Sequence, residues 1–293
     1  MDKIFRLVVF LCVGFGCGSV QAGLILAGND AAHIALGNQG SNRSVGWVKA
    51  DTVGVDRGGF NLIDDGWWGV TAKHVVSDLT TGTFYTNIQT GFGNRLNNVT
   101  ESRAIAQVFV DSARDLAVFQ FAAPYVTEAA LQRFRGEFVI GSEAYTVGYG
   151  NLRYVNEATS VYTGDRRAGF DVVDGRNLFN QDLLRTRFEE SSSSRYRPFE
   201  MGLTPSDSGG GLIHNSLLAG VNIGISLEGT FGQSSFYLDL NRGGNAFIDA
   251  IQLANPITAV PEPASLALLM FVGGPFGGVY AAIKCRKKKK LLA

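Results

Sequence analysis

Thr71-Ala72-Lys73-His74, Asp115-Leu116-Ala117-Val118-Phe119 and Ser206-Asp207-Ser208-Gly209-Gly210 follow one another in that order along the chain. A serine hydroxyl is a weak nucleophile at neutral pH and needs a base within hydrogen-bond reach. Imidazole titrates near neutral pH, and a carboxylate beside it fixes its tautomer and stabilises its charged form. These three residue types recur on unrelated folds in different chain orders. Histidine first, then aspartate, then serine in a Gly-rich turn, selects one of those folds.

The segments resemble the trypsin/chymotrypsin family of serine endopeptidases, which carries T-A-A-H-C, D-I-A-L and G-D-S-G-G-P at these points. Gly148-Tyr149-Gly150 is similar to the family's G-W-G, and Leu218-Ala219-Gly220-Val221 to its L-V-G-I strand. Phe236-Tyr237-Leu238 and Phe247-Ile248-Asp249-Ala250-Ile251 resemble its closing strand and helix. The resemblance covers about residues 45–255. It implies an all-β fold of two six-stranded antiparallel β-barrels, chymotrypsin-like, with a short C-terminal helix. The first barrel would occupy residues 23–135 and the second 136–257, with the crossing near 133–137 and the active site between them.

The resemblance also assigns roles. His74 is general base and then acid, Asp115 orients it, and Ser208 is acylated. The backbone N–H groups of Ser206 and Ser208 form the oxyanion hole. Asp111 is the rival to Asp115. The apolar run starts at Asp115, setting that carboxylate at a strand's start, so Asp111 is expected in a solvated loop. His33 has no catalytic neighbour in sequence and His214 lies on a strand leaving the nucleophile turn; both are expected to be structural. Three positions depart from the family. Ser206 replaces Gly and Gly211 replaces Pro, while Lys73 stands where the family has a small residue. A side chain at 206 strains the turn, at a cost of roughly 1–3 kcal/mol.

The family's primary pocket has its base six positions before the nucleophile, which is Gly202 here. No acid sits there, so an uncharged substrate side chain is expected, with Ile223 and Ile225 in the pocket wall. In many relatives a new N-terminus of I-V-G-G type pairs with the aspartate before the serine, here Asp207. Ile25-Leu26-Ala27-Gly28 resembles that start. Either the chain is trimmed to Ile25, or Asp207 has an internal partner such as an arginine. The expected activity is hydrolysis of protein or peptide substrates through an acyl-enzyme. The alternatives are a catalytically inactive protease-like module binding protein or polysaccharide in a matrix, which Ser206 would favour, and an esterase using the same triad. No metal or cofactor is implied, because no His/Cys/Asp cluster has ligand spacing.

Both ends carry other signals. Lys3 and Arg6 precede the apolar run 7–15, and Val20-Gln21-Ala22 closes it: a signal peptide over residues 1–22, cut by signal peptidase after Ala22. Lipidation at Cys17 is the rival, against a poor lipobox. Val260-Pro261-Glu262-Pro263 precedes an apolar stretch, 266–283, and then the basic tail from Lys284 to Lys290. The stretch has the length of a transmembrane helix, and the basic cluster holds the tail in the cytoplasm. Residues 258–293 resemble the PEP-CTERM sorting signal of Gram-negative bacteria, which implies an exosortase and delivery to the cell envelope or matrix; a plain anchor is the alternative.

The chain has 26 basic and 26 acidic residues. Without the two terminal segments 18 basic and 24 acidic residues remain, a net charge of −6. That argues against nucleic acid as partner. The three cysteines, Cys12, Cys17 and Cys285, all lie in the terminal segments, so packing alone holds the body. Strands are expected at 46–53, 66–70, 83–89, 104–110, 116–122, 137–140, 144–147, 160–162, 211–214, 218–225 and 235–240. Segment 245–254 is expected to be helical through Phe247, Ile248, Ile251 and Leu253, with a short second helix at 127–133.

Overall fold

The computed structural model describes residues 23–50, 56–79, 81–93, 98–157, 159, 161, 163–178, 181–226 and 229–257. The chain divides into two compact units, Met1–Leu253 and Ala254–Ala293. The expected signal peptide and sorting signal lie outside the described residues. Among the described residues no helix is long and apolar enough to cross a membrane.

Seven strands form the first sheet. They are β2 (Val45–Lys49), β3 (Asp56–Ile63), β4 (Trp68–Thr71), β5 (Gln89–Phe92), β6 (Glu101–Arg103), β7 (Ile105–Val110) and β8 (Ala117–Phe121). Their order is β6-β5-β2-β3-β4-β8-β7, all antiparallel. The six-stranded closed barrel expected here is therefore an open, seven-stranded sheet. The physical reason lies at Ala104. Strand pairing on one edge stops at Arg103 and resumes on the other at Ile105, so one residue links the two edges. Since that link spans only about two Cα–Cα steps of 3.8 Å, the sheet is rolled on itself without being hydrogen-bonded shut. Phe60 is the hub inside the roll, with ring centroids 5.1 Å from Phe92, 5.6 Å from Phe121 and 5.9 Å from Tyr125. Gly69 leaves room for them; a Cβ there would lie 2.8 Å from Phe121 and 2.9 Å from Phe60.

The second sheet is a closed barrel of six strands. It comprises β9 (Glu143–Gly148), β11 (Arg167–Arg176), β12 (Leu183–Arg187), β13 (Gly211–His214), β14 (Leu217–Ser226) and β15 (Ser234–Asp239), in the order β11-β12-β15-β14-β13-β9. Alternate residues point inward, and Val173, Leu184, Leu203, Leu212, Ala219 and Tyr237 fill the core with Phe138 and Ala144. The buried Tyr237 hydroxyl shares hydrogen bonds with Thr146 at 2.6 Å and Thr186 at 3.1 Å.

The N-terminal segment belongs to the barrel, although it precedes the first sheet. β1 (Leu24–Ile25) pairs in parallel with β10 (Arg153–Tyr154), and helix α1 (Asp30–Gly37) packs on β11. Arg167 anchors α1 through Asp30 at 2.6 Å.

The crossing lies where the sequence places it. Leu131 bridges Ile63 of the first sheet, and Arg133 bridges Leu218 of the barrel. These bridges exclude the helix expected at 127–133: the segment is extended because its backbone is shared between the sheets. Segment 137–140 is a loop rather than a strand, with Val139 and Ile140 exposed, and of 83–89 only Gln89 is in a strand, the start of β5, besides a bridge from Phe84 to Ser77. The helix expected at 245–254 is α3 (Asn245–Ala254), but Leu253 is exposed rather than in the apolar stripe.

Arg133 ties the crossing to α3. Its guanidinium, 4% exposed, meets Asp64 at 3.0 Å, Asp249 at 2.9 Å and Gln252 at 3.1 Å. Breaking a buried charge network is costly because the partners stay partly desolvated. Arg133→Ala is expected to destabilise the protein by about 2 kcal/mol, below the fully buried range because both carboxylates reach water. Denaturant unfolding checks this.

Candidate active site

β4 ends at Thr71, and the chain turns into the one-turn helix α2 (Lys73–Val76), which carries His74. Asp115 precedes β8, the strand paired with β4, so the register of the two strands sets it opposite His74. One carboxylate grips that residue twice. Oδ1 accepts from the His74 backbone N–H at 2.9 Å, and Oδ2 faces Nδ1 at 2.6 Å. The ring is thereby fixed with Nδ1 toward the carboxylate and Nε2 on the opposite side. Burial pushes the Asp115 carboxyl up, but the His74 charge, its two hydrogen bonds and Lys73 outweigh that and hold it below the usual carboxylate range.

Asp111 is not a solvated loop residue. It is 5% exposed. Its carboxylate accepts from Ala113 N–H at 2.7 Å and pairs with Arg114 at 3.0 Å, because the tight turn into β8 leaves those donors inside. Lys73 reaches the Asp111 carbonyl at 3.4 Å.

The serine turn, 204–210, leaves the barrel and lies against the first sheet. Ser208 is half-buried, and its carbonyl accepts from Gly59 N–H on β3 at 2.8 Å. A Cβ at Gly58 would collide with the Ser208 carbonyl and lie 3.1 Å from a methyl of Val75, the neighbour of His74. A side chain at Gly209 would collide with Thr71, three residues before His74. Backbone pairing thus brings the serine turn against the segment that carries the histidine.

Asp207 points the other way, into the barrel, and is fully enclosed. Its carboxylate accepts from Gly150 N–H at 2.8 Å and from both the N–H and the hydroxyl of Thr204 at 3.0 Å. Burial raises its pKa to about 6 against these donors. Its direct partners are therefore a threonine and a backbone amide, neither the new N-terminus nor the arginine that the sequence left as alternatives; Arg167 acts only at longer range. The Gly148-Tyr149-Gly150 segment follows from the same packing, since a Cβ at Gly150 would sit 2.6 Å from the Asp207 carboxyl and one at Gly148 would collide with it.

Ser206 adopts φ +76°, in the left-handed region that glycine favours. Within the turn, the N–H groups of Asp207, Gly209 and Gly210 are bonded to Thr204, Asn222 and Asp207 carbonyls. Among the described residues, no acceptor faces the N–H of Ser206 or of Ser208. Ser206→Gly is expected to keep stability within about 1 kcal/mol, since relief of strain and added chain entropy offset each other. Thermal unfolding measures it.

The remaining residues are dispersed. Gly202 is buried, and both its N–H and its carbonyl pair with Leu24, at 3.0 and 2.8 Å. Ile223 is half-buried on β14, and Ile225 packs against the barrel core. His33 is buried in α1 with Nδ1 on the Ala168 carbonyl at 2.9 Å, and His214 packs against the rings of Phe134 and Phe138. Sequence reasoning missed Thr204, Asn61 and Asn222, which hold the turn; the visible signal was an asparagine set within each of two apolar strands. Among the described residues no three His, Cys, Asp or Glu side chains could hold a metal ion. No protein-family model and no curated protein matches this chain.

Proposed function

We propose that the protein is an exported serine endopeptidase of chymotrypsin-like fold, with His74, Asp115 and Ser208 as its triad. The observation that carries this reading is the double grip of Asp115 on His74, together with the unoccupied N–H groups of Ser206 and Ser208. The rolled first sheet and the closed barrel support the two-barrel reading.

In the reaction, Ser208 Oγ attacks the scissile carbonyl while His74 takes its proton. Asp115 holds the ring and stabilises the imidazolium. The carbonyl oxygen becomes an oxyanion facing the N–H groups of Ser206 and Ser208, each such donor contributing about 10²–10³ in rate. His74 returns the proton to the leaving amine, and the C–N bond breaks. Water, deprotonated by His74, then cleaves the acyl-enzyme. The natural substrate is proposed as protein or peptide. Signal peptidase and an exosortase process the ends, and the protein reaches the cell envelope or extracellular matrix of a Gram-negative bacterium after a transient membrane stage.

A fluorophosphonate probe tests the assembly. Labelling at Ser208, lost in Ser208→Ala and in His74→Ala, is the expected result; a folded sample left unlabelled overturns the reading.

The start of the chain bears on this test. Both the N–H and the carbonyl of Leu24 pair with Gly202, and Ile25 is buried. A chain trimmed to Ile25 loses the Leu24 pairs that flank the turn, whereas one starting at Gly23 keeps them. The Ile25 form is expected to label several-fold more slowly than the Gly23 form, by time course.

A further inference from the structure

Two fully buried asparagines hold the nucleophile turn from opposite sides. Asn61 comes from β3 of the rolled sheet and donates from Nδ2 to the carbonyls of Gly209 at 3.0 Å and Gly210 at 3.2 Å. Asn222 comes from β14 of the barrel and donates from Nδ2 to Val147 O at 2.9 Å and Asp207 O at 3.1 Å. Its main chain adds two more bonds, accepting from Gly209 N–H at 2.8 Å and donating to Gly210 O at 3.0 Å.

Each side chain leaves its Oδ1 buried with no partner among the described residues. An unsatisfied buried acceptor is unfavourable, and an apolar residue of the same size would avoid it. What the amides supply is orientation. The peptide unit is planar and trans, so its C=O and N–H point in opposite directions. Tying the Asp207 carbonyl to Asn222 therefore turns the N–H of Ser208 to the other side of the same peptide. The glycines record the fit. A Cβ at Gly210 would lie 2.6 Å from Asn222 Nδ2, and one at Gly211 would collide with Asn61 Oδ1. Gly211, a departure from the sequence pattern, is thus accounted for by Asn61.

We infer that Asn222 and Asn61 are positioning residues: Asn222 aims the Ser208 N–H, and Asn61 fixes the serine turn to the sheet that carries His74 and Asp115. The inference rests on the proposed function.

The test uses the full chain, with kcat and KM on a peptide substrate, the fluorophosphonate labelling rate at Ser208, and near-UV circular dichroism. Asn222→Leu is expected to lower kcat about 10²-fold, the loss typical of one oxyanion donor, with KM changed less than about threefold. Asn222→Ser retains a donor hydroxyl and is expected to recover about tenfold of that loss. Asn61→Leu and Asn61→Ser should show the same ranking with smaller effects. A folded Asn222→Leu protein that turns over and labels at the wild-type rate overturns the inference. So do variants in which rate falls only in step with the folded fraction. Wild-type protein left unlabelled at Ser208 would instead defeat the proposed function itself, and the positioning role with it.

Discussion

Asp115→Asn is expected to lower kcat/KM about 10⁴-fold while leaving the protein folded, the loss that the proposed triad chemistry implies. Both carboxylate oxygens are engaged by one residue, Oδ1 on the His74 backbone N–H and Oδ2 on Nδ1. An amide offers one acceptor oxygen and one donor nitrogen. If its oxygen stays on the backbone N–H, its NH₂ faces Nδ1 and drives the proton to Nε2. The ring then has no lone pair toward the serine, and general-base catalysis fails. Rotating the amide rescues the tautomer but sets a donor against the His74 N–H, loosening α2. The variant also removes a negative charge that stabilises the imidazolium in the transition state. Peptide hydrolysis and fluorophosphonate labelling should fall together, with an unchanged near-UV spectrum. Asp115→Asn protein as active as wild type would show that Asp115 is no part of the mechanism. Asp111→Asn is the control. Asp111 closes its own turn through Ala113 and Arg114, so its replacement should reduce stability without a comparable loss of kcat.

The parts legible in the sequence are those where one residue type is forced by local geometry. The segment 211–214 is an uninterrupted run before a turn, and β13 occupies just those residues. The paired strands β14 and β15 and the helix α3 are likewise periodic and bounded by turns. By contrast, β11 carries Arg167, Asp171 and Asp174 in a sequence without clean alternation. Its charges are tolerated because partners arrive from elsewhere: Asp30 of α1 for Arg167, and Arg185 of β12 for Asp174. Nothing local announces such pairing. Helix α1 was missed for a related reason, since its buried His33 sets Nδ1 against a carbonyl 135 residues away. The rolled first sheet could not be anticipated either, because the break at Ala104 depends on which edge each half joins. At the site, the order of the three segments singled out His74 and Asp115, which the structure brings together, and Ser208 in its Gly-rich turn. The roles of Thr204, Asn61 and Asn222 depend on through-space contacts.

Glu200→Gln is expected to reduce a loss of stability on going from pH 6 to pH 9. Glu200 sits beside β11, paired with Phe170, and is 3% exposed. Its Oε2 accepts from Glu189 N–H at 2.7 Å, and its Oε1 has no partner among the described residues. Burial raises its pKa to about 8; the Glu189 carboxylate adds to the rise, while the Glu189 N–H and Arg197 only partly oppose it. Asp171, fully enclosed in the barrel, is raised well above the carboxylate range by burial and by Glu200. A raised folded-state pKa means that the unfolded chain releases its proton first. The folded state then binds more protons over the interval, and stability falls as pH rises. For Glu200 the interval runs from about 4.5 to about 8. At about 1.4 kcal/mol per pKa unit, the full effect is on the order of 3–5 kcal/mol. Asp207 acts in the same sense but is complete by about pH 6. His33, lowered chiefly by burial, works in the opposite direction below its ordinary value. The upper interval therefore belongs to Glu200 and Asp171. Urea unfolding at one-unit steps should show the wild type weakening through pH 8 and the Glu200→Gln protein weakening less there, the remainder belonging to Asp171. Equal slopes in the two proteins would mean that Glu200 is already ionised and compensated in the fold. Because Glu200 lies two residues before Gly202 and four before Thr204, this weakening starts in the segment that leads into the nucleophile turn. Ser208 labelling should therefore decline before global unfolding, and more in the wild type than in the variant.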